Sequence, residues 1–306
     1  MRSKFFRASA RPLLSTLFCM VGMLTLISPS HASEQNYPTK PIRLIVAYPP
    51  GGSADAVARL VANKMQENLG RNIIVENRTG ASQTIGTDAV SKAAPDGYTI
   101  GLISDSHVIN PYFIKELPYD SLKDFRAISH VATFAMMLVA NPGLNVKSVQ
   151  EFVELAKSRP GALSYASTGN GTPHQLSMEW LKFKAGIDLL HVPYRGAAPA
   201  MTDVVGGQVN VMFGSVASVA PFVATGKAFP IAVSSRERQP AFPEVPTLME
   251  SGFPEYDWSS WFGIAAPAGT PDTVVKRLNE AVAYAVGQKE VKETLLALSM
   301  IGVRCL

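Results

Sequence analysis

The chain has 306 residues, 47% of them hydrophobic and 17% charged, with 28 Lys and Arg against 24 Asp and Glu. That length carries two domains of ordinary size, each with its own core, and 23 glycines and 22 prolines scattered along it suit strand–loop–helix junctions better than disorder. The net charge of +4 is local: four basic and no acidic residues precede residue 33, so the remainder carries 24 of each sign and offers no basic surface for nucleic acid.

Residues 1–32 begin with Arg2, Lys4, Arg7 and Arg11, continue as an apolar run from Leu13 to Ile27, and end in Ser30-His31-Ala32. A basic start, a short apolar core and small residues at the −3 and −1 positions describe a secretory signal peptide cut after Ala32. A membrane anchor reads the same residues less well, because Ser15, Thr16, Gly22 and Thr25 interrupt a run that is already short for a bilayer. Cys19 sits inside the apolar core behind Phe18, which argues against a lipoprotein anchor. Cleavage leaves Cys305 as the single cysteine, so no internal disulfide forms, and no CxxC or HExxH spacing points to a metal. No cofactor is expected.

"IRLIVAY" from Ile42 reads as a strand. It stops at Pro49-Pro50-Gly51-Gly52, and a helix follows over Asp55 to Leu69, closed by Gly70. In this junction the glycines bring backbone amides close to a ligand, and Ser53 or Asp55 can cap the helix, whose positive end favours an anion. An ordinary strand-to-helix turn with no ligand explains the same residues. A Walker loop is excluded because no Gly-Lys-Ser/Thr follows. A hydrolase elbow would need Gly-x-Ser-x-Gly, and Asp55 occupies the last position. "NIIVEN" is the next strand, then a turn at Thr79-Gly80, a helix over Thr84 to Ala94, and the strand "YTIGLIS". Ser104, Asp105, Ser106 and His107 come off the end of that third strand, where a cleft position is plausible.

A long apolar strand is expected over Ala132 to Asn141, then a helix over Ser148 to Lys157 and the strand "LSYAS". The next junction repeats the first: Ser167, Thr168, Asn170 and Thr172 offer neutral donors beside the amides of Gly169 and Gly171. Thr172 is a good N-cap, with Pro173 the first residue of a helix to Ala185. Its "GNGTPH" lacks the third glycine of a dinucleotide fingerprint. His174 on the first turn is either a ligand donor or base, or a solvated helix-start residue. "DLLHVPY" is a strand in which His191 reads as a satisfied core histidine. Arg195 and Gly196 follow at its end, where the guanidinium either pairs with a carboxylate or makes an exposed salt bridge. A helix over Ala198 to Val205, the strand "QVNVMF", Gly214-Ser215 as another strand-end loop, a helix at 216–224 and the strand "FPIAVS" complete the second series. "WFGIAAP" is a last strand, and the final helix begins near Pro271. Trp258 and Trp261 are read as core or hinge packing. Strands alternating with helices in two series predict two α/β domains, with ligands at the C-terminal strand ends. No histidine spacing selects a Ser-His-Asp triad.

"YPTKPIRLIVAYPPGGSAD", "VENRTGA", "AAPDGYT", "LPYD", "YASTGNGTPHQL", "HVPYRGAAPAMTDVVGGQV", "VPTLMESG" and "WFGIAAPAGTP" resemble, in this order, the Bug family of extracytoplasmic solute receptors of tripartite tricarboxylate transporters, over about Tyr37 to Leu298. The resemblance implies a type II periplasmic-binding-protein fold: two α/β domains, residues 33–134 with 256–306 and residues 135–255, joined by two crossover strands, "MMLVANP" and "WFGIAAP", around a ligand cleft. It implies a monomeric periplasmic receptor that passes a small carboxylate to integral membrane subunits, without catalysis. The carboxylate would be held largely by backbone amides and ordered water from loops at Tyr48, Pro49, Gly51, Gly52, Ser53 and Asp55, and at Ser167 to His174, with Ser106, Arg195, Gly196 and Ser215 nearby.

Three departures from the family pattern stand out. Thr79 to Gly86 replaces a glycine-rich Pro-Gly-Ala-Gly-Gly-Asn-Ile-Gly and is expected to add bulk near the first domain's surface. Gly214 stands where an Asp is frequent, which removes a contact for a ligand amine. "MIGVRCL" ends the chain where the family continues with a further helix or two, so a truncated first domain of reduced stability is expected. An extracytoplasmic hydrolase using Ser53 or His174, and a sensor docking on a signalling partner, are the competing functions.

Overall fold

The apolar runs become strands, the 3.6-spaced runs become helices, and the junctions between them fix where a ligand can sit. The computed structural model describes residues 37–303; the expected signal segment with Cys19 and Ala32, and Cys305, lie outside the described residues. Strand β1 (Ile42–Val46) is flanked in parallel by β2 (Ile73–Asn77) and β3 (Thr99–Ser104). β1 is apolar almost throughout because helices cover both faces of a parallel sheet: Ile42, Leu44, Ile45 and Val46 are all buried. Helix α1 (Ser53–Leu69) buries Val57, Val61 and Met65 at helical spacing, and Gly70 ends it with φ 65°, its amide donating to the Gln66 carbonyl. Helices α2 (Thr84–Ser91) and α3 (Asp105–Phe113) follow β2 and β3.

Strand β4 (Phe125–Ala140) is the axis of the molecule. Its first part pairs antiparallel with β9 (Ser259–Pro267), which itself lies against β3, and with the short β10 (Met300–Gly302). From Met136 to Ala140 it pairs instead with β7 (Val211–Ser215) and β8 (Phe229–Val233). One strand thus belongs to two sheets, and the change occurs between Ala135 and Met136. The second sheet continues from β7 in parallel to β5 (Ser164–Ser167) and β6 (Leu190–Pro193). Around it run α4 (Val149–Ser158), α5 (Pro173–Ala185), α6 (Ala197–Val205) and α7 (Val216–Ala224). The chain returns to the first sheet beside this change of partners. Buried Ser234 accepts from the Met136 amide at 2.9 Å and donates to the Trp258 carbonyl at 2.7 Å. That hydroxyl ties the two passages together. Helix α8 (Asp272–Gly287) packs against α1, and α9 (Lys289–Ala297) leads into β10.

Three elements differ from the sequence expectation. α3 is a helix that was not anticipated after the third strand; Pro111 within it masks the pattern. β4 starts at Phe125, not Ala132, because the more polar "FRAISH" pairs with β9. β10 takes residues of the closing "MIGVRCL", for which no element was expected. Among the described residues no helix is long and apolar enough to cross a membrane.

Candidate functional site

A cavity of about 770 Å³ opens at the C-terminal ends of β1, β2 and β3 from the first sheet and β5, β6 and β7 from the second. Six helices begin at its wall: α1, α2, α3, α5, α6 and α7. Among the described residues none of these six starts has a side-chain cap hydrogen bond. Most of their first-turn amides therefore keep their donors, the exceptions including Thr84 at the start of α2, whose amide donates to the Ala81 carbonyl, and Pro173, which has none; each helix brings roughly half a positive charge to its start. The cavity is built for an anion by backbone geometry, with little fixed charge. Arg195 is the one cation among the described lining residues and Asp105 the one carboxylate.

The first junction is rigid for a reason its sequence half announced. Gly52, not Ser53, occupies the N-cap position of α1. Asp55 is buried; its Oδ2 accepts from the Gly51 amide at 3.0 Å, and its Oδ1 from Asn77 at 2.9 Å and Arg59 at 3.1 Å. Burial raises the Asp55 pKa, but the bonds from Arg59, Gly51 and Asn77 outweigh it and hold the carboxyl below its usual range. Asp55 and the Gly51 amide thus hold the loop. Asn77 also donates to the Tyr48 carbonyl at 3.0 Å, and the Tyr48 hydroxyl lies 2.5 Å from Ser104 Oγ. Tyr48, Pro49, Gly51, Gly52 and Ser53 line the cavity.

In the second junction Thr168, Gly169 and His174 line the cavity. Thr168 Oγ1 is 2.8 Å from His174 Nδ1. Burial brings the His174 pKa down to about 4, so at neutral pH it offers a hydrogen bond and no charge. The remaining expected donors stand behind the wall. Ser167 is fully buried and bonds Gly169 and His191; Thr172 occupies the N-cap position, but its hydroxyl donates to the Gly169 carbonyl; the Gly171 amide donates to Gln175 Oε1. Asn170 is exposed and off the wall, and Ser106 is fully buried behind Gln83, accepting from its Nε2 at 3.1 Å. The structure does not bring these five, or Asp55, to the cavity wall. The cause is common: a polar side chain in a glycine-rich turn satisfies its own turn first.

Arg195, Gly196 and Ser215 do reach the cavity, and so do parts of the wall that sequence did not flag. Thr79 to Gln83 lines it rather than adding surface bulk. Ala81, Ser82 and Gln83 there have φ of 45°, 50° and 75°, a left-handed run in residues that carry side chains. Asp105 bonds Ser260 Oγ and the Trp261 amide, both at 3.0 Å, and burial raises its pKa past the effect of those bonds. At Gly214 a Cβ would meet Val219 Cγ1 at 2.4 Å, so α7 fills the place an acidic side chain would need. Ser53 Oγ accepts from Ser215 Oγ at 3.4 Å and has no histidine partner, which removes the basis for the hydrolase elbow. Among the described residues no group of three or more His, Cys, Asp and Glu side chains could hold a metal ion.

A sequence profile described as the tripartite tricarboxylate transporter family receptor matches residues 57–303. The chain belongs to this family. The receptor is 34% identical to protein BugT of Bordetella pertussis over 93% of its own length and 87% of BugT. The structure of the periplasmic binding protein BugD superposes with a TM-score of 0.83 at 33% identity, covering 88% of the receptor and 90% of BugD. MatC from Rhodopseudomonas palustris, solved with bound malate, gives a TM-score of 0.82 at 32% identity, covering 87% and 90%. The receptor has the type II periplasmic-binding-protein fold, and its relatives bind solutes rather than transform them.

Proposed function

We propose that the receptor works in the periplasm, where it captures a small carboxylate between two lobes and delivers it to the membrane subunits of a tripartite transporter. The lobes are residues 33–134 with 256–306, and residues 135–255, and they close on the ligand about the shared β4. One observation carries the reading: uncapped helix starts from both sheets converge on one cavity. Amides and dipoles stabilise a carboxylate without titrating or reacting. Tyr48, Pro49, Gly51, Gly52, Ser53, Thr168, Gly169, His174, Arg195, Gly196 and Ser215 are the contacts proposed, with first-turn amides as the main donors. A relative solved with malate supports the ligand class. Calorimetry of the chain from residue 33 against a panel of carboxylates tests it. Binding with one-to-one stoichiometry is expected, and a folded sample that binds none of them overturns the proposal.

A further inference from the structure

The segment from Thr79 to Gly86, where the chain departs from the glycine-rich pattern, carries a strained backbone. Ala81, Ser82 and Gln83 are all left-handed, with φ of 45°, 50° and 75°. Glycine adopts such angles freely, whereas a residue with a Cβ does so under strain. Three in succession persist where their surroundings hold them. Here the holding groups come from the end of β3 and from α3. Asn110 donates from Nδ2 to the Ser82 carbonyl at 2.9 Å. Gln83 donates from Nε2 to Ser106 Oγ at 3.1 Å, and its Oε1 accepts from Ser104 Oγ at 3.4 Å. Ser104 in turn lies 2.5 Å from the Tyr48 hydroxyl. Ser106 and Asn110 are buried behind the cavity wall, whereas Thr79 to Gln83 form part of it. The strained run also faces the second sheet, since a Cβ on Gly169 would lie 3.5 Å from Ser82 Oγ. Gln83 thus ties the wall to α3 and to the Tyr48 loop, immediately before the first residue of α2.

We propose that Gln83 is a positioning residue for ligand binding: its side-chain amide, clamped on Ser106, holds the strained run in the shape the bound cavity needs. A loop released from the clamp samples other shapes, and affinity falls with the fraction that is competent to bind. This rests on the carboxylate reading above. Calorimetry with malate, adipate, citrate, benzoate and glutamate, beside thermal melts without ligand, tests it on the parent, Gln83→Gly, Gln83→Ala, Ser106→Ala and the double variant Gln83→Ala with Ser106→Ala. For the probe that the parent binds most tightly, both Gln83 variants are expected to lose about fivefold to tenfold in affinity, the reach of one hydrogen bond. Their stabilities part, because glycine relieves the strain: Gln83→Gly should melt about 2–4 °C above Gln83→Ala. Ser106 stands behind the wall, so Ser106→Ala should weaken binding as Gln83→Ala does, and the double variant should bind no more weakly than either. Parental affinity in Gln83→Gly shows that the clamp is not needed and overturns the inference. Gln83→Gly melting no higher than Gln83→Ala removes the strain that the clamp opposes and overturns it as well. Unchanged affinity in Ser106→Ala, or additive losses in the double variant, makes Gln83 a direct ligand contact; the inference then falls and the carboxylate reading stands. A folded parent that binds none of the five probes overturns both.

Discussion

His174 shows what a single half-buried group contributes. It bonds Thr168 in the second junction, and burial brings its pKa down from 6.5 to about 4. In the unfolded chain it takes a proton below about pH 6.5, and in the folded chain only near pH 4. Between those values the unfolded state binds more protons, so this group's contribution to stability falls as the pH falls through that window. Asp105 acts in the opposite sense, since its raised pKa lets the folded state protonate first. The comparison must therefore be made within one pair of proteins. His174→Gln keeps a partner for Thr168 and removes the titration. Urea melts at pH 7 and pH 5 should show the parent losing about 1–2 kcal/mol more than the variant over that interval; equal losses would rule His174 out as the cause. The sequence pointed to His174, Thr168 and Arg195 because a polar residue beside a strand-end glycine is a local signal. It could not separate them from Ser167, Thr172 or Asp55, which have the same signal and spend their bonds on their own turns. Phe134 and Ser260 carried no local signal at all, because they reach the cavity through the long-range pairing of β4 with β9.

At the scale of elements, the β1–α1 junction depends on one carboxylate. Asp55 joins the Gly51 amide, Asn77 and Arg59, and Asn77 in turn holds the Tyr48 carbonyl. Asp55→Ala leaves the half-buried Asn77 amide and the exposed Gly51 amide without that partner and is expected to cost about 1–2 kcal/mol. It should also weaken ligand binding, because the first-turn amides of α1 lose their fixed position. Asp55→Asn retains an acceptor and should recover more than half of that stability. Thermal melts and calorimetry on the pair check this, and an Asp55→Ala protein as stable as its parent would show that Gly51 and Gly52 hold the turn unaided. The elements themselves were largely legible. Glycine and proline mark the ends of α1, α5, α6 and α7 within a residue or two, since positive φ and the missing proline N–H are backbone constraints readable from composition. α3 was not, because Pro111 reads as a break. The first half of β4 was not, because its register is set by β9, more than a hundred residues away.

At the scale of the molecule, loops from the two sheets touch across the cavity. Ser215 bonds Ser53, a Cβ on Gly169 would lie 3.5 Å from Ser82 Oγ, and a Cβ on Gly196 would lie 3.3 Å from Pro49 Cγ. Sequence predicted two α/β series and their facing strand ends. It could not predict these meetings, which depend on how β4 turns from one sheet into the other at Ala135 and Met136. Gly196 is the informative position. Its φ of 150° already favours glycine, and its one close neighbour beyond its own loop is across the cavity. If ligand affinity includes the free energy of bringing these loops together, Gly196→Val should disfavour the closed form by about 1–2 kcal/mol and weaken binding about tenfold or more. Backbone strain at position 196 alone would give a similar loss, so Pro49→Ala is the control. Paired with Gly196→Val it removes the opposing atoms and should restore most of the affinity if the clash is across the cavity. X-ray scattering with saturating ligand should show Gly196→Val more expanded than its parent and the double variant returned to the parental radius. A double variant as weak and as expanded as Gly196→Val would place the effect in the α6 start and remove loop contact from the binding equilibrium.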